Sequence, residues 1–192
     1  DCKEFINKYK NNKNNNEIVI LPHTIKDEDW LISSLGKNVT FFCREKISFE
    51  YVKKLSNHKE NVYLSKDLAF YISNDILNKY KSLGKGECNL FRTDKESTDI
   101  TIPQDNIDLS NHVLPEGPKR WSCDEPKDIE EVSNKLFDYI SNFEVVNTNR
   151  LHLAIAGCLI GKKVNFYCNN YYKNKAVYEY SIKNKFPNVK FE

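Results

Sequence analysis

The chain has no long apolar run, no stripe of basic residues and no closely paired cysteines. Its apolar stretches fall well short of the roughly 20 residues that a membrane-spanning helix needs, so no membrane span is expected. Asp1-Cys2-Lys3-Glu4 does not open like a secretory signal, and a soluble, cytoplasmic protein is the expectation. The net charge is only +2, with both signs interspersed, which excludes the clustered Lys/Arg footprint of a nucleic-acid binder. The six cysteines (Cys2, Cys43, Cys88, Cys123, Cys158 and Cys168) form no C-x-x-C pair and have no histidine at zinc spacing. Cys43 and Cys158 fall in apolar elements, so free thiols are expected rather than a disulfide framework. No carboxylate–histidine cluster suggests a metal, and neither a metal nor a tightly bound cofactor is expected.

Arginine is also scarce. Of 29 basic residues only Arg44, Arg92, Arg120 and Arg150 are arginines. Lysine cannot supply the two parallel hydrogen bonds with which a planar guanidinium holds a carboxylate or phosphate. Arg44, Arg92 and Arg150 each follow a predicted strand, and His23 and Asp67 lie in similar positions. Arg92 and Arg150 are therefore candidate anion ligands. The alternative for each is a carboxylate partner that pins a loop, and for Arg44, beside Glu45, that alternative is preferred.

What is present is an alternation of strands and helices. Residues 2–10 read as a helix, followed by an asparagine-rich loop. Strands are expected over 17–21, 38–43, 62–64 and 88–91. Between the first strands lie one helix with acidic residues in its first turn (Asp27, Glu28, Asp29) and another with a Phe49/Val52/Leu55 face. Gly84-Lys85-Gly86 reads as a flexible link and a domain boundary. Residues 97–120 read as loops, and Pro126 fits the first turn of a helix with Ile129, Val132, Leu136 and Ile140 on one face. Then comes a β-α-β unit: Phe143 to Val146 as a strand, Asn147-Thr148-Asn149-Arg150-Leu151-His152 as the turn, an apolar helix, and Gly161-Lys162-Lys163-Val164-Asn165-Phe166-Tyr167 as a turn into another strand. A last helix runs through Val177, Tyr180 and Ile182.

This pattern implies parallel sheets, with ligands beyond the carboxyl ends of the strands. The first turn of the β-α-β unit matters most. A helix N-terminus attracts anions through its N–H groups, and a cation there is unfavourable unless an anion arrives. Arg150 and His152 sit at that position.

Six segments, in order, carry a family resemblance: Ile20-Leu21-Pro22-His23-Thr24-Ile25, Phe42-Cys43-Arg44-Glu45-Lys46-Ile47-Ser48, Lys66-Asp67-Leu68-Ala69-Phe70, Phe91-Arg92-Thr93-Asp94-Lys95-Glu96, Asn149-Arg150-Leu151-His152 and Tyr171-Tyr172-Lys173-Asn174. Together they resemble the polysaccharide pyruvyl transferases, in which a glutamine often stands in the place of His23. The resemblance implies two Rossmann-like domains in a GT-B-like arrangement: a partial acceptor-side domain over 1–84, and a donor-side domain over 85–192. Relatives begin with a strand and a glycine-rich loop that this sequence lacks, so the first domain is expected to lack its N-terminal portion. The resemblance further implies transfer of pyruvate from phosphoenolpyruvate, as co-substrate, to two hydroxyls of a glycan or lipid-linked sugar, giving a cyclic ketal.

Arg92, Arg150, Leu151 and His152 would then line the donor site, with Arg150 and the helix N-terminus on one anion and Arg92, from the facing domain, on the other. His152 is the natural proton carrier, because imidazole changes charge near neutrality; it could equally donate a hydrogen bond to the leaving phosphate. Asp67 or Asp94 would serve as base toward the sugar, or else cap a helix or pair with lysine. Arg44, His23, Tyr171 and Tyr172 are expected to support loops or the acceptor, and Trp121 is a further stacking candidate. The competing readings are a GT-B nucleotide-sugar glycosyltransferase and a truncated, non-catalytic glycan-binding domain.

Overall fold

A computed structural model describes residues 17–109 and 126–192, together with Glu4 and Lys8. The expected helix over 2–10 (apart from the helical Glu4 and Lys8), the asparagine-rich loop, residues 110–120, Trp121, Cys2 and Cys123 lie outside the described residues. Among the described residues no helix is long and apolar enough to cross a membrane. The chain divides into two compact units, Asp1–Leu68 and Ala69–Glu192.

In the first unit β1 (Ile18–His23), β2 (Val39–Cys43) and β3 (Val62–Leu64) form a parallel sheet in the order β1-β2-β3. Connections between parallel neighbours must cross over, and α1 (Asp29–Ser33) and α2 (Lys46–Leu55) do so. Alternate residues of β2 point inward, so Val39, Phe41 and Cys43 join Ile18, Ile32, Val52 and Val62 in one core. Glu45 does not pair with its neighbour Arg44. Its buried carboxylate caps α2, accepting from the Ser48 N–H at 3.0 and 3.1 Å, where the helix dipole favours negative charge.

The second unit begins before the glycine link. Residues 69–84 pack into its core through α3 (Asn74–Leu77) and the turn that follows, with Leu77 and Tyr80 buried. Gly84 and Gly86 thus lie inside this unit, both with positive φ, rather than between the two units. Beyond them β4 (Glu87–Asn89), β5 (Val145–Thr148), β6 (Lys163–Phe166) and β7 (Val189–Phe191) form a parallel sheet in sequence order. The described part of the 97–120 stretch, up to Leu109, is loop as expected.

Between β4 and β5 runs α4 (Pro126–Ser141), with Pro126 in its first turn as expected. Its expected face holds toward its carboxyl end, where Ile140 is buried and Leu136 packs against the core with Phe137 beside them, whereas Ile129 is half exposed. Phe137 stacks on Tyr80 at 5.1 Å and adds an aromatic contact to that face. The β-α-β unit is β5, α5 (Leu151–Leu159) and β6, as the sequence implies. Apart from the exposed His152, α5 is apolar nearly all round and correspondingly buried. Gly157 lets it approach the sheet closely, because a Cβ there would stand 2.8 Å from Cγ2 of Val164. The chain ends with α6 (Lys173–Val177), a π-helical turn over Tyr178–Ile182, and β7.

Sequence reasoning missed one buried cation. Lys162 is 2 % exposed, and its Nζ donates to the carbonyls of Ser141 at 2.7 Å and Ser82 at 2.8 Å. It closes the carboxyl end of α4, where cations are favoured, and ties that end to the 69–84 segment. Burial lowers its pKa below the usual lysine range. Cys43, Cys88 and Cys158 are free and buried, and burial pushes their thiols up to about 12, so they serve as core residues. Cys168 is free and exposed.

Gly84 carries the first stability prediction. It has φ +64°, and an added Cβ would be driven into the Phe143 backbone. Gly84→Ala is expected to destabilise the protein by about 2 kcal/mol or more, read from urea unfolding. Gly86, with φ +67° but open space around it, should cost only the backbone strain of about 1 kcal/mol when replaced by alanine.

Candidate donor site in the second unit

The three strands β4, β5 and β6 deliver three segments to the same end of the sheet. After β4 the chain runs through Leu90 and Phe91 to Arg92; after β5, through Asn149 to Arg150; and after β6, through Tyr167 to Lys173. Asn149, 2 % exposed, joins them. Its Oδ1 accepts the Arg92 N–H at 2.8 Å, while its carbonyl accepts from Asn174 Nδ2 at 2.7 Å. Asn174 also donates to the Tyr167 carbonyl at 2.9 Å, and Asn170 Nδ2 donates to the Lys95 carbonyl at 2.7 Å. Phe91 packs edge-on to Tyr167 at 5.0 Å. Thr148 Oγ1 accepts the Arg150 N–H at 3.0 Å and donates to the Leu90 carbonyl at 2.7 Å, fixing the turn into α5.

This framework assembles three cations and three carboxylates. Arg92 donates to both oxygens of Asp94 in a fork, Nε at 2.7 Å and the second guanidinium nitrogen at 2.9 Å, and its remaining arm reaches Glu96. Arg150 donates from Nε to Asp108 at 2.8 Å, and its terminal nitrogen lies 2.5 Å from Asp108 and 3.4 Å from Asp94. Lys173 Nζ is 2.5 Å from Glu96 and 5.0 Å from the centre of the Tyr171 ring. Asp108 is held in turn by the Thr93 N–H at 2.8 Å and its hydroxyl at 3.0 Å.

The charges shift one another's ionisation. Hydrogen bonds from Arg92 pull the Asp94 carboxyl down to about 2 against the upward push of burial, with the Glu96 N–H and the Arg150 charge assisting. Burial pushes Glu96 up, but Lys173 and Arg92 together bring it below the usual carboxylate range. Burial alone would lower Arg92; its two carboxylate partners outweigh that and raise it.

The expected site residues separate into two groups. Arg92, Asp94, Arg150, Leu151, His152, Tyr171 and Tyr172 all belong to the second unit. Arg92 therefore does not come from a facing domain: it shares Asp94 with Arg150. Both arginines hold carboxylates, as the loop-pinning alternative had it. Leu151 is buried and His152 exposed in the first turn of α5, whose N-cap residue is Arg150. Tyr171 and Tyr172 pack edge-to-face at 5.8 Å.

His23, Arg44 and Asp67 belong to the first unit. Arg44 binds the buried Asp67 at 2.8 Å and Thr24 Oγ1 at 2.8 Å, so the Arg44 alternative holds with Asp67, not Glu45, as partner. His23 is exposed, with Nδ1 2.9 Å from the Leu21 carbonyl. Lys173, Asn149 and Asp108 were not singled out from sequence. Lys173 and Asn149 stand inside quoted segments, whereas Asp108 lies in a loop without periodicity that marks it.

A profile of the family described as polysaccharide pyruvyl transferase matches residues 3–170. The chain belongs to that family. It is also similar in structure to a functionally uncharacterised protein from Klebsiella pneumoniae subsp. pneumoniae, at 35 % identity and a TM-score of 0.75. The match covers 92 % of this chain and 63 % of that one, so the chain spans less than two thirds of that relative's length. No curated protein matches it. Membership of the pyruvyl transferase family agrees with the α/β architecture and its parallel sheets.

The ion-pair network carries a pH prediction. A carboxylate whose pKa is lower folded than unfolded contributes stability above its unfolded pKa, and loses it as pH falls through the folded value. For Asp94 that window runs from 3.8 down to about 2. Thermal unfolding midpoints should fall over this interval, and the fall should be shallower in Asp94→Asn; equal slopes would show that the pairing adds nothing to stability.

Proposed function

We propose that the protein is a pyruvyl transferase and that its second unit holds phosphoenolpyruvate. One observation carries this reading. Three family segments that are distant in sequence, at 91–96, 149–152 and 171–174, interlock at the carboxyl ends of β4, β5 and β6, where open parallel sheets bind ligands. The family match supports the reaction class. The two-domain GT-B-like arrangement and a glycan or lipid-linked sugar acceptor are parts of the same reading.

Phosphoenolpyruvate carries a carboxylate and a phosphate, and this site offers two guanidiniums, Lys173 and the amino end of α5. Charge-assisted hydrogen bonds in a partly buried site hold such groups in fixed orientation. In the reaction the enol carbon 3 takes a proton, and carbon 2 becomes electrophilic. A sugar hydroxyl adds there, the carbon–oxygen bond to phosphate breaks and inorganic phosphate leaves. A second hydroxyl then closes the ketal and releases its proton. His152, exposed in the first turn of α5, is the proposed proton carrier.

Calorimetric titration of the chain with phosphoenolpyruvate tests the donor site. Binding that is lost in Arg150→Ala is expected, with circular dichroism to show that the variant is folded; no binding to the intact chain sinks the reading. Because His152 is exposed, His152→Ala should leave stability within about 0.5 kcal/mol. It should keep most donor affinity and lose turnover. Equal loss of binding and turnover would remove His152 from the chemistry.

A further inference from the structure

Asp94 and Asp108 face the same two arginines in unlike ways. The Asp108 side chain is 2 % exposed, and besides binding Arg150 it is fixed by two hydrogen bonds from Thr93. It is part of the framework. The Asp94 side chain is 36 % exposed and sits in the loop after β4. Its polar partners are the Arg92 fork, the Glu96 N–H at 3.0 Å and, at the longer distance of 3.4 Å, Arg150. Its carboxylate touches both guanidiniums.

We propose that Asp94 is a resident stand-in for the donor's anionic group. Its carboxylate occupies, between Arg92 and Arg150, the seat that the phosphate of an incoming phosphate ester takes. This rests on the donor-site reading above and adds a specific exchange to it. A guanidinium fork accepts carboxylate and phosphate with the same planar geometry, so one can replace the other without moving Arg92. The fork of Arg92, largely buried, would be costly to leave unpaired while the site is empty; Glu96 holds only the remaining arm, and Asp94 keeps the fork paired and correctly aimed.

Rotation of the Asp94 side chain toward solvent opens the Arg92 fork and the edge of Arg150 that faces it, while Glu96 keeps the remaining arm of Arg92 and Asp108 keeps Arg150 in place. The exchange also sets a preference. A dianion that gains two guanidiniums displaces a tethered monoanion, whereas a small monocarboxylate gains too little over Asp94 to do so. Phosphate esters are therefore the selected class.

The test titrates inorganic phosphate, and separately phosphoenolpyruvate, into the wild-type chain, Asp94→Asn and Asp94→Ser. Removing the internal competitor should tighten both ligands by about tenfold in both variants. Tightening for phosphate without any binding of phosphoenolpyruvate would keep the exchange and defeat the donor assignment. Phosphoenolpyruvate bound equally by all three chains would defeat the exchange and keep the donor assignment. Failure of phosphate to bind any chain would also overturn the exchange.

Should the variants not fold, the wild type alone decides. With four arginines in the chain, the Nε–H signals are few enough to assign by NMR. Added phosphate should move the Arg92 signal and leave Arg44 in place; an unmoved Arg92 signal overturns the proposal.

Discussion

The hydrogen bond from the Arg92 backbone to the Asn149 side chain is the joint on which the rest of the second unit's site depends. It ties the loop after β4 to the turn after β5, and Asn174 ties the turn after β6 to the same residue. With those backbones fixed, the long side chains of Arg92, Arg150 and Lys173 have only a short span over which to meet their carboxylates. The entropy of ordering them is met by a framework of short, buried, uncharged hydrogen bonds. An ion-pair network on free loops would be worth little. On this framework it becomes a fixed array of charge.

The array is balanced, and that balance reconciles two roles that first look opposed. Arginines placed after strands serve equally to pin loops and to receive anions, and the geometry here has every guanidinium among the described residues engaged by carboxylate. Those carboxylates are not equivalent. Asp108 is buried and braced, whereas Asp94 is accessible and held chiefly by the group it neutralises. On the proposed exchange, a site in this state is organised before its ligand arrives, and its affinity is a difference between two anions rather than the filling of a vacant charge.

Much of the fold was legible in sequence because burial writes itself into periodicity. The β5-α5-β6 unit was clear: a short β-prone run, then a helix apolar nearly all round, bounded by Gly161. The face of α4 was legible at Leu136 and Ile140, but aliphatic spacing overextended it to the exposed Ile129 and passed over Phe137, which packs on Tyr80 from a distant segment. The unit division was placed at Gly84-Lys85-Gly86 because glycine pairs often mark links. Here they run alongside residues 142–145, hydrogen-bonded to them, with positive φ values that no local pattern separates from a hinge. Lys162 was read as a turn residue, since a lysine buried against two carbonyls has no local signature.

Sequence by itself determined the α/β class, the position of the arginines after strands and the histidine at a helix start, because these follow from periodicity and residue chemistry within short windows. Only tertiary structure decided who meets whom. It put Arg92 beside Arg150 in one unit, gave Arg44 to Asp67 and left Glu45 to cap α2, and brought Asp108 across from an unpatterned loop. Ion pairs are chosen by distance in space, and every one of these except the cap joins residues that the chain order keeps apart or leaves ambiguous.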